Sequence, residues 1–103
     1  MLHPTDAVVD RISAAMSIAA MRNQVFASNI ANRDAQGYQR MQVRLDSTWN
    51  GVFASLVPDR SSTAVPLDQE IVGMSANAGH YESMARALSR YFSVLNTITS
   101  SRG

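Results

Sequence analysis

Few side chains in this chain of 103 residues can do chemistry. It has nine Arg, no Lys, eight acidic residues, two His and no Cys. Without cysteine there are no thiolate metal sites, disulfides or thiol nucleophiles. His3 stands near the chain start and is expected to face solvent. His80 is followed by Tyr81 and Glu82, and a His-x-Glu pair on a helix points in two directions, a poor metal site. None of the 13 serines sits in a Gly-x-Ser-x-Gly elbow, and no phosphate loop or dinucleotide fingerprint occurs. Asp34, Asp46 and Asp59 are the only loop acids from which a carboxylate pair could be built, and solvated loop acids are the plainer reading. Arg33, Arg40 and Arg44 lie close together, but Asp34 and Asp46 accompany them, so a phosphate-binding patch is weak. The expectation is therefore a protein that is not an enzyme, with no catalytic, cofactor or metal residues, no cofactor and no nucleic-acid partner.

Composition points to packing instead. Hydrophobic residues make up 46% of the chain, aromatic residues 7% and charged residues 17%, and the net charge is +1. Ala (14) and Ser (13) dominate, which favours close helix packing over an aromatic core. One small domain is the most that this length supports. The longest apolar run, Ile18-Ala19-Ala20-Met21, is far too short to span a bilayer, so no membrane insertion is expected. The opening Met1-Leu2-His3-Pro4-Thr5-Asp6 has no basic n-region or apolar h-region, so no cleaved secretory signal is expected.

Three segments follow, 1–32, 33–65 and 66–103. The first reads as a long helix from about residue 5, with His3 or Thr5 as N-cap, Pro4 in the first turn and Asp6 suited to the helix N-terminus. Val9, Ile12, Met16, Ala19, Asn23, Phe26 and Ile30 are spaced 3-4-3-4-3-4, a heptad seam. Its polar member, Asn23, is either a tolerated interruption or a buried amide that sets register. A second stripe, Ala14, Ile18, Met21 and Val25, lies nearly opposite. A helix with two apolar faces needs neighbours on both: either it is central to a small bundle or other subunits cover this stripe, and of these the subunit contact is the expectation.

In the middle segment Gly37 supplies a turn, and Met41, Val43 and Leu45 alternate with Gln42, Arg44 and Asp46 as in an extended segment. Trp49, Val52, Phe53 and Leu56 have helical spacing and predict a short amphipathic helix stopping before Pro58, against the grain of Gly51. Residues 59–63 read as a polar linker. The last segment reads as a second long helix with the seam Leu67, Ile71, Met74, Ala78, Tyr81, Ala85, Leu88, Phe92 and Leu95, its apolar face widening toward the end to Met84, Tyr91, Val94 and Ile98. Within it Gly73 and Gly79 mark either local fraying or the close approach of another backbone. The predicted fold is mostly α: two long terminal heptad helices in an elongated coiled-coil hairpin, joined by a short irregular or partly extended middle.

The stretch Ser28-Asn29-Ile30-Ala31-Asn32-Arg33-Asp34-Ala35-Gln36-Gly37-Tyr38 resembles the N-terminal signature of the bacterial flagellar rod and hook proteins, an Asn-Ile-Ala-Asn element and then a turn ending Thr-Pro-Gly-Tyr. Asn29, Ile30, Ala31, Asn32, Gly37 and Tyr38 match it, while Ala35 and Gln36 stand where Thr and Pro are usual. Val65-Pro66-Leu67-Asp68-Gln69-Glu70, then Asn77, Tyr81 and the heptads through Phe92 and Leu95, resemble the last helix of the proximal-rod type. The resemblance implies a structural subunit of the flagellar basal-body rod, stacking helically to pass torque from motor to hook. Its implied partners are copies of itself, other rod and basal-body proteins and the flagellar type III export apparatus. Its implied location is the periplasm-spanning rod. The heptads alone fit a soluble helical-hairpin adaptor or secretion chaperone equally well.

Overall fold

The computed structural model describes residues 4–49, 51–61 and 65–102. Four elements follow one another: α1 (Pro4–Ala31), β1 (Met41–Thr48), β2 (Gly51–Pro58) and α2 (Leu67–Arg102). The two helices pack against each other, β1 pairs with β2, and β1 also packs on α1. The molecule is long and thin, 63 × 31 × 16 Å. It is the elongated helical hairpin expected from the terminal heptads, with a strand hairpin inserted in its middle. The expected cap at His3, the Thr5 side chain and linker residues 62–64 lie outside the described residues. No described helix is long and apolar enough to cross a membrane.

α1 starts at Pro4, whose fixed φ and missing N–H suit a first turn, with Asp6 in that turn. α2 opens just after Pro66, with Asp68 and Glu70 in its first turn. The helices run antiparallel. Near one end, Gly73 of α2 faces Phe26 of α1, and one turn on, Asn77 Nδ2 donates to the Ala19 carbonyl at 2.7 Å.

That hydrogen bond corrects the expected seam. Asn23 is exposed, so it is not a buried register amide; Asn77 makes the interhelical bond instead. On α1, Ala19 is buried and Val9, Ile12, Met16, Phe26 and Ile30 are half-buried, as a seam requires. On α2, Met74, Ala85, Leu88 and Leu95 are half-buried, but Leu67, Ile71, Ala78, Tyr81 and Phe92 are exposed. Glu70, Gly73, Asn77, Met84 and Tyr91 are the more covered positions. Exchanging 71, 78 and 92 for 70, 77 and 91 turns the inward face by about half of one 100° residue step. Met84 and Tyr91 belong to the widened apolar face, but in the first half of α2 apolar periodicity misses the shift because Glu70, Gly73 and Asn77 are not apolar: an ion pair, a missing side chain and an amide set the facing side.

At Gly73 neither expected reading holds: α2 is unbroken there, and the near neighbour is a side chain, not a backbone. A Cβ at this position would lie 2.8 and 2.9 Å from Cε1 and Cζ of Phe26, so the absent side chain makes room for an aromatic ring. Gly79 has nothing within 4 Å of such a Cβ.

The expected short helix around Trp49, Val52, Phe53 and Leu56 is not there. β2 occupies Gly51–Pro58, antiparallel to β1, with Met41 opposite Pro58 and Thr48 opposite Gly51. The i, i+3, i+4, i+7 spacing was coincidental, and Gly51, a poor helix residue, is the signal in the sequence against a helix there. Gly51 has φ +129°, which a side chain would resist. Directly paired residues share a face. Met41, Val43 and Leu45, opposite Pro58, Leu56 and Ala54, therefore form one apolar face. Its first part meets α1; Leu45 and Leu56 are exposed.

Candidate functional site

The residues of the Asn29-to-Tyr38 motif converge where α1 ends and the strand hairpin begins. Asn29 is 4% exposed. Its Nδ2 donates to the Met41 carbonyl at 2.9 Å, and its Oδ1 accepts the Met41 N–H at 2.9 Å. The side-chain amide thus pairs with both backbone groups of Met41, as a neighbouring strand would, and this fixes the amide's orientation. The Tyr38 hydroxyl donates to the same Oδ1 at 2.9 Å. Its oxygen lies 3.0 Å from Ser28 Oγ, and since the phenol has one proton, already given to Asn29, Ser28 is the donor there.

Asn32 closes the helix. Its backbone N–H and its Nδ2 both donate to the Ser28 carbonyl, at 3.0 and 2.9 Å, satisfying one of the acceptors freed at a helix C-terminus. The chain then turns through Ala35 N–H to Asn32 O and Tyr38 N–H to Ala35 O. Gly37 has φ +81°, the left-handed region that glycine enters without strain, and open space around it. Ala31 is the last helical residue and is exposed; Ile30 is half-buried. Asn29, Asn32, Gly37 and Tyr38 thus each have a mechanical part in reversing the chain and clamping the first strand to the helix.

A second cluster buttresses the same junction from α2. Arg40 Nε donates to Glu70 Oε1 at 2.7 Å, and Nη2 sits 2.5 Å from that oxygen. Arg40 Nη1 pairs with Asp59 Oδ2. The Asp59 N–H donates to the Arg40 carbonyl at 2.7 Å, and Gln39 Nε2 donates to the Asp59 carbonyl at 2.9 Å, so the ladder runs one residue past β1 and β2. Glu70 is 4% exposed, and its Oε2 has no hydrogen-bond partner among the described residues. The Asp59 carboxyl is held below the usual carboxylate range. The Ser61 backbone N–H, 3.0 Å from Oδ1, is the largest cause; the Ser61 hydroxyl and then the Arg40 charge add to it. One guanidinium therefore ties together the hairpin's open end and the first turn of α2.

Sequence reasoning missed this triad because its members stand 19 and 30 residues from Arg40, beyond any local spacing. Of the three arginines weighed as a phosphate patch, Arg40 is engaged as described, Arg33 lies 3.9 Å from Asp34 and Arg44 3.2 Å from Asp46. Each lies beside a carboxylate, so none of the three stands as an isolated positive charge. Asp34, Asp46 and Asp59 are paired with these separate arginines and are not gathered into a carboxylate site.

The stripe expected to contact other subunits is only partly free. Ala14 is exposed, and Ile18 and Met21 are half-buried. Val25 is 8% exposed and lines a cleft with Met41 and Val43. The two-stripe reasoning overlooked the middle segment, which folds back from the Asn29 clamp and covers that end of α1 within the chain. Val25 is therefore covered within its own chain and is not open to another subunit.

No protein-family model matches this chain, and no curated protein matches it in sequence.

Proposed function

We propose that this protein is a structural subunit of the bacterial flagellar basal-body rod, of the proximal-rod type. The observation that carries the reading is the clamp: the motif residues Asn29, Asn32, Gly37 and Tyr38 form a closed hydrogen-bonded junction between a long N-terminal helix and the hairpin that follows. The resemblance to axial flagellar proteins rests on those same residues. In this reading the helix pair is the axial element, and the Asn29 clamp and Arg40 tie hold the hairpin at a set angle to it. A stacked subunit transmits torque only if its parts do not turn against one another. Copies assemble through heterologous contacts, which build an open helical array when the rotation between neighbours does not close. Delivery would be through the flagellar type III apparatus, to a rod crossing the periplasm.

Supporting this are large apolar side chains left exposed on both the hairpin and α2: Val52, Phe53, Val72, Val94 and Trp49. The test is genetic and structural. Deleting the gene from its native host should abolish swimming and leave basal bodies without a rod, and an epitope-tagged copy should appear in purified basal bodies by electron microscopy. Normal motility and intact rods in the deletion strain would refute the assignment. A soluble adaptor would instead form a defined dimer or heterodimer and stay out of basal bodies.

A further inference from the structure

Trp49, in the turn that follows β1, is 94% exposed, and every described residue in 44–53 is exposed with it. Against the helix pair lies a complementary feature. A cleft of about 320 Å³ opens between α1 and α2, lined by Ala19, Ala20, Asn23, Asn77, Ala78 and Tyr81. Three alanines make it wide, Tyr81 offers a ring, and Asn23 supplies an amide oxygen suited to an indole N–H. A cavity of about 150 Å³ suffices for benzene, so this one has room for a bicyclic indole. No residue of the strand hairpin lines it.

The exposed area of this elongated chain fits a second copy as the occupant. A compact monomer of 11.2 kDa should expose about 5,700 Å². This chain exposes 7739 Å². The excess, about 2,000 Å², is what a stable protein–protein contact buries in total. We propose that the Trp49 end of the hairpin plugs the interhelical cleft of a second copy of this chain, as a head-to-tail contact. Plug and socket are different surfaces of one chain, so each copy can give one and receive one, and the contact propagates. The inference rests on the reading of the chain as a self-assembling subunit, but not on its flagellar setting.

Trp49 is the only tryptophan, so its fluorescence reports the plug directly. The purified full chain is followed over a concentration series by tryptophan emission, acrylamide quenching and sedimentation. As association proceeds, emission should shift to the blue and quenching should fall several-fold. Trp49→Ser, which removes the plug, and Ala78→Arg, which fills the socket, should each weaken association at least tenfold. Both sites are exposed, and matching far-UV circular dichroism controls for folding. Mixed one to one, the two variants should form a dimer and no larger species. Its blue-shifted emission would come from Trp49 of the Ala78→Arg chain seated in the open cleft of the Trp49→Ser chain. Association of the wild type with Trp49 still fully quenchable overturns the plug and leaves self-assembly standing. A shielded Trp49 with an innocuous Ala78→Arg overturns the socket. A wild type that stays monomeric throughout overturns both the contact and the self-assembly reading.

Discussion

Replacing Asn29 by Leu tests the clamp with little change of volume. The variant keeps a side chain that fills the site and removes the amide. Three partners are then orphaned: the Met41 N–H, the Met41 carbonyl and the Tyr38 hydroxyl, each now 2.9 Å from an Asn29 atom. A buried polar group left unpaired costs about 1–3 kcal/mol. Met41 and Tyr38 are only half-buried, so water can recover part of this, and Tyr38 keeps Ser28. The expected loss is about 2–4 kcal/mol. Small domains commonly hold about 5–15 kcal/mol in all. Here only Ala19 and Val25 are buried among the described apolar residues, so the chain belongs at the low end. Urea titration followed by circular dichroism, in a stabilising osmolyte so that a folded baseline exists, gives the difference. Hydrogen exchange at the Met41 amide locates it: protection should fall there far more than at mid-helix amides. Asn29→Asp sharpens the test. It can accept from the Met41 N–H and from Tyr38, but its second oxygen would face the Met41 carbonyl, and burial and that repulsion would raise its folded pKa. Such a group is least harmful below its unfolded pKa, and its cost grows as pH rises. Measured against wild type at each pH, the deficit of Asn29→Asp should thus be smallest in acid. An Asn29→Leu variant within about 0.5 kcal/mol of wild type, the range of an ordinary surface change, would refute the clamp.

Other outcomes follow from the same contacts. Gly73→Ala should destabilise by about 1–3 kcal/mol through overpacking on Phe26, outweighing the roughly 1 kcal/mol that alanine adds to a helix, and Phe26→Leu in the same chain should relieve it. Gly79→Ala, with open space at its Cβ, should stabilise, and thermal melts of the variants decide both cases. Gly37→Val forces a β-branched residue to φ +81° and should cost about 1–3 kcal/mol by urea titration, with Gly37→Asn milder. Arg40→Met leaves the buried Glu70 carboxylate unpaired and should cost about 3 kcal/mol, the low end for a broken buried pair because Arg40 is partly solvated; Glu70→Gln in the Arg40→Met background should recover part of it. Because the folded pKa of Asp59 is depressed, its contribution is complete above the unfolded value near 3.9 and is lost as pH falls through the folded value, so Asp59→Asn should flatten the acid limb of the stability profile.

The two long helices were legible because their signals are local: Pro and acidic residues at the starts, and apolar residues at intervals of three and four over 28 and 36 residues. The turn was legible for the same reason, since Asn32 and Gly37 act on backbone within a few residues of themselves. The hairpin was half legible. Alternation marked β1, but Trp49, Val52, Phe53 and Leu56 also satisfy a helical period, and only pairing across Thr48 and Gly51 removes the ambiguity. The facing side of α2 was legible in part, through Met74, Ala85, Leu88 and Leu95, but its rotation was not. It is decided by Asn77 reaching the Ala19 carbonyl, by Gly73 yielding to the Phe26 ring and by Glu70 meeting Arg40. None of the three is apolar, and each is chosen by a partner at least 30 residues away. The sequence by itself determined the elements, because hydrophobic period and backbone conformation are properties of neighbours along the chain. Only the tertiary structure decided the rotation of α2, the covering of Val25 and the assembly of Arg40, Asp59 and Glu70, because polar pairing at long separation leaves no periodic trace.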